Sequence, residues 1–278
     1  MLLARARRAA VRRRLIARHY VDAIVPLADV GRAARGYGRY VRDRRRYVQM
    51  SANKLDPYDD NPQLRDWTAT SPFDPHYTHQ DAWAAREIHR FAPPEHVDVG
   101  SRVTFVIGLA AFVPTTFVDL RPLPVEIPNL TTVAGSVLTM PYESGELTSL
   151  SCLHVAEHVG LGRYGDPLDP HGTERAAAEL ARVLAPGGRL WFSLPVGRPR
   201  TNFNAHRVHD PRAIPAMFED LELEAFAAVD DLGAFRAELA PVDVAACEWA
   251  CGLYRFTRPS SARSPLDGAG SSSTTASN

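Results

Sequence analysis

The stretch from Thr173 to Leu194 constrains the fold more than any other, because its apolar period changes half-way along. Ala176, Leu180, Val183 and Leu184 recur at helical spacing and make one apolar face, and Thr173 is placed to cap that helix. Pro186, Gly187 and Gly188 turn the chain, and Leu190 to Leu194 returns as a short apolar run suited to a strand buried on both faces. A helix that folds back into a buried strand is part of a parallel α/β sheet, so the same alternation is expected upstream.

It is there. His96–Val99 reads as a short strand ending at Gly100, and Phe105, Leu109 and Phe112 give a helix over 104–112. A second strand at 116–119 ends on Asp119, twenty-one residues after Asp98. In a dinucleotide-type fold an acid at that distance accepts hydrogen bonds from ribose hydroxyls. Further strands are expected at 130–134, followed by Gly135 and Ser136, at 147–153, and near the end at 253–256. The fold class is therefore α/β, a Rossmann-like doubly wound and mostly parallel sheet with an N-terminal helical or irregular extension.

The flanks are of different character. Residues 1–50 hold fourteen arginines against three aspartates, a net +11 that the remaining residues offset within a formal charge of zero. Residues 3–20 have the composition of a basic helix with a thin apolar face. Such a helix suits either a solvated arm or weak contact with an anionic surface, membrane headgroups or nucleic acid. The segment 55–75 is rich in Pro, Asp and Asn and reads as irregular, a helix is expected over 79–91 before Pro93-Pro94, and residues 259–278 are small, polar and expected to be disordered. The expected organisation is an Arg-rich arm (1–50), a lead-in (51–94), the core (95–258) and a tail (259–278). No run approaches the length of a transmembrane helix. Three cysteines, Cys152, Cys247 and Cys251, fit no disulfide framework and read as packing residues in a cytoplasmic setting, with the basic arm as a means of peripheral membrane contact.

The string from Glu179 to Pro195, ELARVLAPGGRLWFSLP, resembles the segment that leads into and forms the fifth strand of class I methyltransferases, and the earlier elements fall in matching order. That resemblance implies S-adenosylmethionine as cofactor. By it Asp98, Gly100, Ser101 and Arg102 pass the methionine part, Asp119 and Leu120 hold the ribose, Gly135, Ser136 and Val137 border the adenine, and His154 closes the site. Two positions depart from the pattern. One glycine stands in the first turn where the family carries two or three, and Ser136 replaces an acid. Either the cofactor is held differently or the ligand has changed, so a non-catalytic ligand-binding protein on the same fold is the alternative. A closer resemblance is carried by His154 to Pro167, Asn204 to Arg207, Val97 to Arg102, Tyr77, Gln80-Asp81 and Trp83 to Arg86: this set resembles the family catalogued as domain of unknown function 268 over about 77–208.

Ligands of such sheets bind at the carboxyl ends of the strands, which directs attention to the loops after the fourth and fifth strands. Glu157 and His158 are the candidate catalytic pair, His158 being better matched to take a proton from a hydroxyl acceptor near neutral pH. Orienting the following helix is the competing role for both. Arg163, Tyr164 and Asp166, with Asn204, His206 and Arg207, are candidates to bind a small or glycan-like acceptor, since amides, imidazoles and guanidinium groups suit hydroxyl-rich or anionic ligands. His154, Glu157 and His158 also spell the HxxEH string of a zinc peptidase. Gly160 and Gly162 curtail the helix that string requires, so the peptidase is a remote alternative and no metal ligands are expected.

Overall fold

The computed structural model describes residues 27–51, 55–57 and 60–260. The basic helix expected at 3–20 and the tail from residue 261 lie outside the described residues. Two compact units are present, divided between Phe73 and Asp74. In the first, helix α1 (Leu27–Met50) carries Arg44, whose guanidinium is 2.7 Å from Asp60, and Arg39, which lies 4.2 Å over the Trp67 ring. Gly36 lets this helix meet the following segment: a Cβ there would sit 2.0 Å from the Leu64 carbonyl. No described helix is long and apolar enough to cross a membrane.

The second unit opens with α2 (Pro75–Phe91), four residues earlier than the apolar pattern indicates. Asp74 sets that start. Its carboxylate accepts from the Tyr77 amide at 3.2 Å, and Pro75 occupies the first turn, where its missing N–H costs nothing. The core elements follow: β1 (His96–Val99), α3 (Val103–Ala110), β2 (Thr115–Asp119), β3 (Leu130–Ala134), β4 (Leu147–Leu153), α4 (Gly172–Val183) and β5 (Leu184–Val196). A hairpin of β6 (Arg200–Asn202) and β7 (His206–Val208) precedes β8 (Glu222–Val229), β9 (Phe235–Arg236) and β10 (Ala250–Thr257).

The main sheet runs β3-β2-β1-β4-β5-β10-β8-β9. Strands β1 to β5 are mutually parallel, and β10 inserts antiparallel between β5 and β8. This is a Rossmann-like, doubly wound and mostly parallel sheet. Strand order reverses between β1 and β4, so a crevice opens above their carboxyl ends. Alternate residues of each strand enter opposite layers. Leu150, Cys152, Leu190 and Phe192 pack on the α4 side, while Leu153, Trp191 and Leu253 meet Trp83, Ile88, Phe105 and Leu109 of α2 and α3.

Two local expectations shift. The cap of α4 is His171 rather than Thr173, because Gly172 must pass close to the Val159 carbonyl, where a Cβ would lie 2.2 Å away. Thr173 instead sends its hydroxyl to the Ala156 carbonyl at 3.0 Å. The Pro186–Gly188 turn lies within β5 as an irregularity, with Leu147 pairing Leu184 and Ser149 pairing Arg189.

Candidate active site

Two open cavities adjoin at the carboxyl end of the sheet. The first, about 720 Å³, lies over β1, β2 and β3 and is lined by Val99, Gly100, Asp119, Leu120, Gly135 and Ser136 among others. Gly100 has φ +67, and a side chain there would come within 3.1 Å of Val155 and 3.7 Å of Asp119 Oδ2. The Asp119 carboxylate accepts from the Arg121 amide at 2.7 Å through Oδ1. Ser136 Oγ accepts from the Leu138 amide at 3.1 Å and shapes the adjoining turn, where Val137 and Leu138 complete the wall. Gly135 serves packing: a Cβ would press on Val118 at 2.7 Å.

Asp98, Ser101 and Arg102, expected at the cofactor, do not line this cavity. Asp98 is fully buried and takes hydrogen bonds from the Ser101 amide at 3.0 Å and from the Ser151 hydroxyl. Ser151 also meets His96 Nε2 at 2.8 Å, and His96 Nδ1 meets Ser149 Oγ at 2.7 Å. Burial pushes Asp98 up to about 7 and His96 down to about 3, so this is a nearly uncharged network pinning β1 to β4. The Ser101 hydroxyl accepts from the Leu153 amide at 3.0 Å, and Arg102 turns outward to Asp81 and the Tyr77 ring. The single-glycine turn thus directs its polar side chains into the scaffold.

The second cavity, about 1,040 Å³ including the space open to solvent, is bordered by His76, Tyr77, Glu157, Arg163, His206, Asp231 and Trp249 among others. His154 and His158 line both cavities. His154 occupies the left-handed region at φ +56, which a residue with a Cβ adopts at a cost. Its buried ring meets Glu157 Oε1 at 2.9 Å through Nδ1 and Cys251 Sγ at 3.3 Å through Nε2. Burial opposes charge on both partners, yet attraction between them, with Cys251 adding to it, raises His154 well above its ordinary value and lowers Glu157. His158 donates from Nδ1 to the Ala205 carbonyl at 2.6 Å, which leaves Nε2 as the nitrogen able to accept a proton. Burial lowers its pKa and keeps the ring neutral. Glu157 and His158 form a single 3-10 turn (Ala156–His158), not the start of a long helix.

The six acceptor candidates separate. Arg163 and His206 line the second cavity, and His206 stacks on Trp249 at 5.5 Å with an interplanar angle of 4°. Tyr164 and Asp166 line the first, where Asp166 clasps its own loop through the Gly160 amide at 2.6 Å and the Tyr164 amide at 3.2 Å. Asn204 lines neither. Arg207 is buried and spent on two backbone carbonyls, Val159 at 2.6 Å and Asp169 at 2.7 Å, which ties β7 to the loop between the cavities. Sequence reading missed His76, Asp231 and Trp249, which come from outside the strand-end loops already under suspicion. Cys251 is buried in the core as expected, and its Sγ also faces the His154 imidazole, a contact the sequence gives no sign of. Cys152, buried with its pKa raised by burial, is core as expected.

Residues 125–235 match the family model described as Caenorhabditis protein of unknown function, DUF268. That match begins later and ends later than the 77–208 resemblance in the sequence, and it takes in the whole loop from His154 to Asp166. Among solved structures the chain is similar to the cyclase SpnF, at 13% identity over 64% of this chain and 81% of that one, with a TM-score of 0.48. It is also similar to the N-methyltransferase NodS from Bradyrhizobium japonicum WM9 in complex with S-adenosylhomocysteine, at 17% identity over 77% and 97%, TM-score 0.46. A third is the 1,6-didemethyltoxoflavin-N1-methyltransferase of Burkholderia thailandensis, at 14% identity over 66% and 84%, TM-score 0.43. No curated protein matches the chain.

Proposed function

We propose that the chain is an S-adenosylmethionine-dependent methyltransferase acting on a hydroxyl of a small or glycan-like acceptor. The observation that carries this reading is the junction of the two cavities at His158: a cleft over the strand ends with one carboxylate at the β2 tip on one side, and a chamber bordered by imidazoles and Arg163 on the other. The residues present fit an adenosyl group. Asp119, at the tip of β2, has its Oδ2 toward Gly100, with no hydrogen bond to that oxygen among the described residues, and suits a ribose hydroxyl. Gly135 to Leu138 offer a flat, mostly apolar edge for a purine.

When bound, S-adenosylmethionine supplies an electrophilic methyl group on a sulfonium sulfur. The chain's own part is orientation and proton removal. Arg163 and His206 hold the acceptor from the far side of the second cavity, with the Trp249 ring stacked behind His206, and His158 Nε2 takes the hydroxyl proton. Titration calorimetry with S-adenosylmethionine and S-adenosylhomocysteine, followed by transfer of labelled methyl to a panel of hydroxylated small molecules and oligosaccharides, tests the reading. Cofactor binding without transfer to any hydroxyl acceptor favours a binding protein on this fold.

A further inference from the structure

His76, His154 and Cys251 come from the first turn of α2, the end of β4 and the second residue of β10, yet one ligand-type atom from each lies within 4.8 Å of the others. No spacing in the sequence announces this. The His154 Nε2 to Cys251 Sγ distance is 3.3 Å. Tetrahedral zinc, with bonds of about 2.05 Å to nitrogen and about 2.3 Å to sulfur, holds such a pair about 3.5 Å apart. One edge of a zinc site is therefore already at its working length, and closing the third corner takes a small turn of the partly exposed His76 ring.

Three further features point the same way. Glu157 accepts from His154 Nδ1 at 2.9 Å, the carboxylate-histidine pairing that directs the other ring nitrogen at a metal. Glu157 Oε2 is buried without a hydrogen-bond partner among the described residues, and the residue borders the second cavity. His154 holds its left-handed backbone at the point where the chain leaves β4, an observed outlier of the kind that gathers at functional centres. Two imidazoles and a thiolate, with no oxygen donor among the three, suit zinc and exclude magnesium or calcium.

We propose that His76, His154 and Cys251 bind a zinc ion whose fourth position opens onto the second cavity, where it takes water or the acceptor's hydroxyl oxygen. His76 and His154 line that cavity while Cys251 stands behind them, so the free side of the ion faces the acceptor. The ion replaces the protons between Nε2 and Sγ, which are released on binding. This site differs from the HxxEH arrangement: His158 points to the Ala205 carbonyl and takes no part. It also stands apart from the cofactor reading, because metal content is measured without any cofactor.

The test uses the full chain, purified without chelator and analysed for metals by mass spectrometry, then stripped and titrated with zinc and with cobalt(II). About one zinc per chain is expected. Cobalt should give a thiolate-to-metal charge-transfer band in the near ultraviolet together with tetrahedral visible bands. His76→Ala and Cys251→Ala should weaken zinc binding at least about 100-fold, more than loss of an outer-shell partner does, while Cys247→Ala leaves it unchanged. Should Cys251→Ala fail to fold, the cobalt spectrum of the unsubstituted chain decides alone. Absence of the charge-transfer band, failure of the stripped chain to take up zinc, or full zinc retention in a folded Cys251→Ala variant overturns the proposal.

Discussion

The two cavities at the carboxyl end of the sheet differ in how they are built. The first is walled by the ends of consecutive parallel strands, with a glycine turn and one carboxylate, and follows from the order β3-β2-β1-β4. The second is assembled from α2, the loop after β4, the β6-β7 hairpin, the turn after β8 and the approach to β10. A cavity set by strand order belongs to any chain with that sheet, whereas one set by side chains from several separate segments belongs to this chain. The first therefore speaks to cofactor class and the second to chemistry.

Substitutions should separate the two. His158→Asn should slow methyl transfer about 10²- to 10⁴-fold, the usual worth of a positioned base, with little change in S-adenosylhomocysteine affinity by calorimetry. Equal losses in both would mean that the ring only supports the wall. Asp119→Ala should weaken S-adenosylhomocysteine about 10- to 100-fold, since hydrogen bonds to a charged group are worth about 1.5–3 kcal/mol, and should leave zinc content untouched. Arg207→Ala should cost about 1.5–3 kcal/mol in denaturant unfolding, because the Val159 and Asp169 carbonyls lose a charged donor. Hydrogen exchange should then quicken in the loop between the cavities. Gly100→Ala should cost about 1–2 kcal/mol for its left-handed backbone, with a further loss of cofactor affinity as the new methyl pushes Val155.

A pH dependence is expected beneath the first cavity, and in the unsubstituted chain its two parts nearly cancel. Folded Asp98 keeps its proton up to about 7 against 3.8 unfolded, so its contribution to stability is present below about 4 and is lost as pH rises to about 7. Folded His96 stays neutral down to about 3 against 6.5 unfolded, so its contribution is lost as pH falls from about 6.5 to about 3. Between pH 4 and 6.5 the two slopes oppose and this network adds little net dependence. His96→Gln removes one of them. Its melting temperature, compared with that of the unsubstituted chain, should then fall as pH rises from about 4 to about 7, and a rise instead would mean Asp98 is ionised in the fold.

The same contrast explains what could be read from the sequence. Strands β1, β2, β4 and the Leu190–Leu194 part of β5 are legible because each is a short, largely buried run, β3 is partly exposed and is placed by the Gly135-Ser136 pair that follows it, and Gly100, Asp119 and Gly135 follow from the strand ends. Strand β8 is not legible: Glu222 to Val229 is rich in Glu and Ala, and only its place beside β10 makes it a strand. The roles of Asp98 and Arg207 were misplaced because the residue types suit a ligand as well as they suit a buried serine or a backbone carbonyl. Cys251 and His76 were missed because their meeting with His154 is a product of tertiary structure, with 97 residues separating Cys251 from its histidine neighbour.

The central claim is that the cavity over β1 to β3 holds an adenosyl cofactor despite its single glycine. Titration calorimetry of the full chain with S-adenosylhomocysteine tests it most directly. Saturable binding is expected, and Asp119→Ala should weaken it by about 10-fold or more. No heat of binding at millimolar ligand, with the chain shown to be folded, would contradict it.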